Sequence, residues 1–152
     1  MLSAPLTFLS FYQGIVTLSD FGLTQVLTDV VGKPTMALLS SSSAVRWHSP
    51  ELSKDEDATP TMASDIFAFG MSVLELLTMK PPYLHRRRDI FVAQDLAQGV
   101  LPPRPEGPEA APWMSDGLWE MLGQCWEWDP EERLLAKELS PCLEQASASL
   151  TR

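Results

Sequence analysis

The sequence predicts a mainly α-helical domain that opens with a short β-hairpin. Three observations carry this expectation. In the segments beginning at Ile66 and Leu118, apolar residues recur at i, i+3, i+4, i+7 and i+8, the spacing of one helix face. Only near the start do β-branched and aromatic runs, Phe8-Leu9 and Ile15-Val16-Thr17-Leu18, flank a turn signal, Gln13-Gly14. With 152 residues, 45% of them hydrophobic and 20% charged, the chain can bury one core but not two.

The elements follow in order. After the hairpin, periodicity fades from Leu23 to Ala44, and Ser40 to Ser43 follow a Lys33-Pro34 step, so a loop is expected there. Beyond Pro60 comes a helix over about 61–79. Ile66, Phe69, Gly70, Val73, Leu74 and Leu77 form one apolar face, and Phe67 and Met71 add a second. That helix is expected to run through the middle of the fold. Lys80-Pro81-Pro82 stops it. A helix over about Asp89 to Gln98 carries Ile90, Val92, Ala93 and Leu96, and Gly99 ends it. Proline density makes Leu101 to Pro112 an extended connector.

Helices over about 115–147 complete the domain. Leu118, Met121, Leu122, Cys125 and Trp126 mark the first. Asp129-Pro130-Glu131-Glu132 reads as an N-cap, a proline at the first helical position and a glutamate reaching back. The last helix carries Leu135, Leu139, Leu143 and Leu150, with Pro141 kinking or splitting it.

Charge and cysteine content exclude several classes. A net charge of −9 argues against nucleic acid or an anionic membrane as partner. Arg86-Arg87-Arg88 reads as a solvated basic run. Cys125 and Cys142 have no metal-ligand spacing and fit reduced thiols. No lysine or arginine precedes Lys33, so the early apolar stretch lacks a signal peptide's charged start. The apolar run Ile66 to Met79 is too short to span a membrane. A cytoplasmic or nuclear location is expected.

The chemistry-bearing residues stand in a fixed order. Leu18-Ser19-Asp20-Phe21-Gly22 follows the hairpin; Arg46-Trp47-His48-Ser49-Pro50-Glu51 comes later. Ser64-Asp65 opens the central helix, and Cys125-Trp126-Glu127-Trp128-Asp129-Pro130 leads to Arg133. In this order and spacing the set resembles the large lobe of a protein kinase, in particular the tyrosine-kinase-like group, over about Leu2 to Leu143. The resemblance implies a single partial kinase domain over 1–150, with an activation segment at about 20–51 and the small lobe absent.

The resemblance also implies roles. Asp20 matches the aspartate that holds Mg²⁺ against the phosphates of ATP. Phe21 packs beneath it, and Gly22 lets the backbone swing. Glu51 and Arg133 match a buried glutamate–arginine pair tying the end of the activation segment to the base of the lobe. Asp65 matches the aspartate that accepts backbone N–H groups of the catalytic loop. Taken singly, Asp65 could equally favour a helix dipole, and Glu51 could be an ordinary surface acid.

Counting back from Asp20, the catalytic loop should fall on Leu2-Ser3-Ala4-Pro5-Leu6-Thr7. Leu2 stands where the family has its catalytic base, Ala4 where it has lysine, and Thr7 where it has the asparagine of the second Mg²⁺. Ala44 replaces a common threonine, and Leu134 the proline that usually follows the arginine. The family transfers the γ-phosphoryl group of ATP to a serine, threonine or tyrosine hydroxyl. This chain is expected to be inactive alone and to bind Mg-ATP weakly or not at all. The alternative is a non-enzymatic, pseudokinase-type module that binds protein partners; a third reading is a helical adaptor unrelated to kinases. Without a small lobe, apolar surface near Phe8, Phe11, Tyr12 and Phe21 would lie open, and self-association is expected.

Overall fold

The computed structural model describes residues 8–12, 15–19, 45–54, 58–107 and 114–150. Leu2, Ala4, Thr7, Asp20, Phe21, Gly22 and the loop 23–44 therefore lie outside the described residues. Two strands, β1 (Phe8–Tyr12) and β2 (Ile15–Ser19), pair antiparallel with Phe8 opposite Ser19 and Tyr12 opposite Ile15. Among the described residues, five helices follow: α1 (Pro50–Lys54), α2 (Met62–Thr78), α3 (Asp89–Ala97), α4 (Asp116–Cys125) and α5 (Ala136–Leu150). A 3-10 turn over Val45–Trp47 precedes α1, and another over Pro130–Glu132 precedes α5.

Helix α2 is the axis of the lobe, and its start is set by its own side chains. Thr61 Oγ1 accepts from Ser64 N at 3.1 Å, while Ser64 Oγ accepts from Thr61 N at 2.8 Å. This reciprocal box satisfies two of the donors that a helix start leaves unpaired. Met79 ends the helix in a left-handed conformation with φ 54°, ahead of the two prolines. The buried residues of α2 are Ser64, Ile66, Phe67, Gly70, Met71 and Leu74. The deepest stripe thus runs along Phe67, Met71 and Leu74, whereas Phe69, Val73 and Leu77 are only half-buried. Of the face expected to be primary, Ile66, Gly70 and Leu74 are buried and the rest is shallower, and α4 packs at Gly70.

Close approach explains Gly70. A Cβ there would lie 2.6 Å from Trp126 Nε1 and 3.0 Å from Cys125 Cβ, so α2 and α4 could not pack as they do. One core joins Phe67, Met71 and Leu74 to Tyr83, Val92, Leu96, Leu118 and Leu122. Trp119 and Trp126 meet edge-on, with ring centroids 5.5 Å apart. Burial of Cys125 pushes its thiol up to about 12, with a smaller contribution from Cys142.

Two expectations fail at the edges of helices. Of the apolar residues expected in α3, Ile90 is 62% exposed, while the charged Asp95 is buried. The stretch from Asp129 does not open the last helix. Asp129 Oδ1 accepts from Glu131 N at 3.0 Å, but the turn ends after Glu132 and Arg133 is extended. A helical Arg133 would point along the surface; leaving the helix sends its side chain inward. Helix α5 starts only at Ala136, where Glu138 Oε2 accepts from Leu135 N at 2.8 Å. The backward-reaching glutamate exists, six residues later than expected, and Leu135 precedes the helix. Pro141 lies within α5 without splitting it.

Candidate functional site

An arginine with four polar contacts joins segments far apart in the chain. The Arg133 guanidinium is fully buried, with 0% of its side chain exposed. Its Nη1 and Nη2 donate to Glu51 Oε1 and Oε2, each at 2.7 Å. Nη1 also donates to Ala63 O at 3.0 Å, and Nε to Glu127 O at 2.9 Å. The Phe67 ring lies beneath, its centroid 5.2 Å from Cζ. One planar cation therefore clamps α1, the start of α2 and the turn after α4. Lysine, with a single tetrahedral head, could not reproduce the fork.

The structure brings Glu51 and Arg133 together as the sequence predicted, with one difference. Glu51 is the accessible partner, with 28% of its side chain exposed; the buried member is the arginine. Burial alone would raise the Glu51 carboxyl. Hydrogen bonds from Arg133 and its positive charge outweigh burial, leaving the group below its ordinary 4.5. Beside it, the buried Ser49 hydroxyl also helps to lower the Glu51 carboxyl.

Asp65 sits in the first turn of α2, with its N–H donating to Thr61 O at 3.1 Å. Partial burial raises its carboxyl from 3.8, and it has no ion-pair partner among the described residues. The catalytic-loop positions expected to donate to it lie outside those residues, as does Asp20. The structure thus joins two of the four predicted site residues, Glu51 and Arg133. Among the described residues, no group of three or more histidine, cysteine, aspartate or glutamate side chains could hold a metal. No described helix is long and apolar enough to cross a membrane.

Two further clamps escaped the sequence reading. Arg46 Nη1 donates to Pro82 O at 2.8 Å and to Tyr83 O at 3.0 Å. Its Nη2 donates to Arg86 O at 2.9 Å and meets Asp89 Oδ1 at 2.9 Å. The segment before α1 is thereby fixed to the connection between α2 and α3. Trp47 Nε1 adds a bond to Glu75 Oε2 at 3.1 Å. Burial raises the Glu75 carboxyl, and this bond lowers it, with a net rise.

The second clamp is Arg86, whose Nε and Nη2 donate to Asp95 Oδ2 at 2.6 Å and Oδ1 at 2.8 Å. It stabilises the turn containing Tyr83, a buried residue held at φ 57°. A non-glycine residue seldom adopts that conformation, and the bonds around this turn help to hold it. The Tyr83 hydroxyl supplies another such tie, donating to Val100 O at 2.9 Å. Burial first, and the Asp95 charge second, push that hydroxyl well above its ordinary range. Neither clamp has a local sequence signal, since each depends on backbone carbonyls or on residues in another element.

This helical lobe, clamped at its base by a buried arginine–glutamate pair, has the architecture of the large lobe of a kinase domain. Residues 7–143 match the family described as protein tyrosine and serine/threonine kinase, and the chain belongs to that family. It is 35% identical to the cytokinesis protein sepH of Aspergillus terreus over 130 residues, 84% of this chain and 8% of that protein. It is 31% identical to the mouse proto-oncogene tyrosine-protein kinase ROS over 123 residues, 78% of this chain and 5% of that protein. With rat mitogen-activated protein kinase kinase kinase 12 it shares 28% identity over 139 residues, 91% of this chain and 14% of that protein. The chain therefore spans a small fraction of the length of these relatives.

Proposed function

We propose that this chain supplies the large-lobe scaffold of a protein kinase domain but does not itself transfer phosphate. The family reaction moves the γ-phosphoryl group of ATP to a serine, threonine or tyrosine hydroxyl. That step needs a base for the hydroxyl proton and fixed positive charge around the phosphoryl oxygens. At the matching positions this chain has Leu2 and Ala4, which can neither accept a proton nor carry charge. These replacements are the observation that carries the proposal.

The donor set for magnesium points the same way. Mg²⁺ takes near-octahedral oxygen ligands, preferably carboxylates together with substrate phosphates. Asp20 offers one carboxylate, while Thr7 offers a neutral hydroxyl in place of an amide carbonyl. This set does not fit a tightly held pair of ions. What the chain keeps is the structural clamp, with Glu51 and Arg133 in bidentate contact. Retained scaffold with replaced chemistry favours a second reading, a non-enzymatic module that binds protein partners.

Calorimetric titration of the chain with ATP, with and without magnesium, tests the proposal. Expected is no magnesium-dependent binding in the sub-millimolar range. Sub-millimolar, magnesium-dependent binding contradicts it, because the residues here would then hold the nucleotide.

A further inference from the structure

We propose that the cleft beside α4 receives a segment of a partner protein carrying a lysine or arginine next to an apolar side chain. The cleft, ≈ 630 Å³ in volume, lies between α4, the chain after α3 and the turn after α4. Its walls include Leu101 (38% exposed) and Trp128 (46% exposed) together with half-buried Trp119. Apolar side chains this open to water gain by being covered. Among the described residues, the charged ones lining the cleft are two carboxylates, Glu120 and Glu127, both exposed. Neither has an ion-pair partner among the described residues.

The two carboxylates select a cation, and the apolar walls select the side chain beside it. The rings themselves are already met by cations of this chain, Lys54 Nζ 3.7 Å from the Trp128 centroid and Arg104 Cζ 6.0 Å from the Trp119 centroid, so the attraction rests on Glu120 and Glu127. The net charge of −9 would speed the approach of a basic segment and repel an acidic one.

A separate observation comes from Gly123, which lines the same cleft. It lies inside α4, where glycine is among the least favoured residues. At Gly70 and Gly99 the structure requires glycine: a Cβ would collide with Trp126 at the first, and φ is +72° at the second. At Gly123 nothing lies within 4 Å of the Cβ position, and the backbone is ordinary helix. Gly117 is equally open but stands in the first turn, outside the cleft. Among the described residues, no packing contact accounts for Gly123. A bare helix backbone on the cleft wall gives an incoming chain room to approach closely.

The proposal rests on the cleft and is independent of phosphate transfer. A short peptide alternating leucine and arginine, titrated into the full chain by calorimetry and tryptophan fluorescence, tests it. Its leucine–glutamate counterpart is the control. The arginine peptide is expected to bind and the glutamate peptide not to. Gly123→Leu, whose Cβ meets no described atom within 4 Å, should weaken binding by roughly tenfold or more. The urea midpoint of that variant should not fall. Glu120→Gln with Glu127→Gln should weaken binding severalfold and flatten its salt dependence. Equal binding of the two peptides, binding of neither, or unchanged binding by Gly123→Leu and the double glutamine variant overturns the proposal. So does sedimentation showing that the cleft is covered by a second copy of this chain.

Discussion

Among the described residues, two arginine–carboxylate pairs are bidentate, and they are built in opposite senses. At the base, the Arg133 cation is fully buried while 28% of the Glu51 side chain remains exposed. Between α2 and α3, the Asp95 carboxylate is only 6% exposed while its partner Arg86 is 40% exposed. Both are bidentate, so geometry alone would rank them alike. The energetic weight falls on whichever charge cannot be returned to water once its partner is gone. For the base of the lobe that is the arginine; for the α3 pair it is the aspartate.

The largest effect should follow from stranding Arg133. Glu51→Ala leaves a buried guanidinium with only the Ala63 and Glu127 carbonyls, and should cost about 3–5 kcal/mol in urea melts. Arg133→Met removes the charge from the interior and keeps contact with Phe67, while Glu51 can rehydrate. Its cost should be about 1–3 kcal/mol. The α3 pair should show the reverse order of partners. Arg86→Ala leaves Asp95 buried, with the His85 imidazole Nε2 3.8 Å away, and should lower the urea midpoint more than Asp95→Asn does. Equal midpoints would mean that the exposed arginine contributes nothing to the Tyr83 turn.

Acid should reveal the same contrast in smaller steps. Burial lowers His48 from 6.5, so the unfolded chain binds this proton more readily and stability falls as pH drops below 6.5. Glu51, held below 4.5, adds a second loss as pH falls below that value. Asp65 and Glu75 are raised in the folded state; stability from them is greatest at low pH and is lost as pH rises past 3.8 and 4.5. They oppose Glu51, so the cleanest decline lies just below 6.5. His48→Gln should flatten that part of a urea midpoint–pH curve, and an unchanged slope would mean that another group titrates there. Smallest of all, Glu131→Ala in the exposed turn should cost under about 0.5 kcal/mol, which chemical melts can bound.

The helices were legible because apolar spacing is a local signal, and α2, α3 and α4 lie within a few residues of where it put them. The Glu51–Arg133 pair was legible only through the ordered motif set, since the two residues stand 82 apart. Its polarity was not legible: nothing in the motif says which partner faces water. The start of α5 was misplaced because Asp129-Pro130-Glu131-Glu132 satisfies the local rules for a helix start. The inward pull on Arg133 overrides them. Arg46 and Asp95 stayed hidden because a clamp onto backbone carbonyls, or a burial imposed by an arginine nine residues earlier, leaves no period in the sequence.

The central claim is that the base of the lobe depends on a buried arginine neutralised by Glu51. A double-mutant cycle in urea with Glu51→Ala, Arg133→Met and both together tests it most directly. If the stranded cation is the cause, removing it must rescue: the double variant should be more stable than Glu51→Ala alone. If the two losses simply add, the guanidinium is not buried at the expense of Glu51, and the clamp is not what holds the lobe.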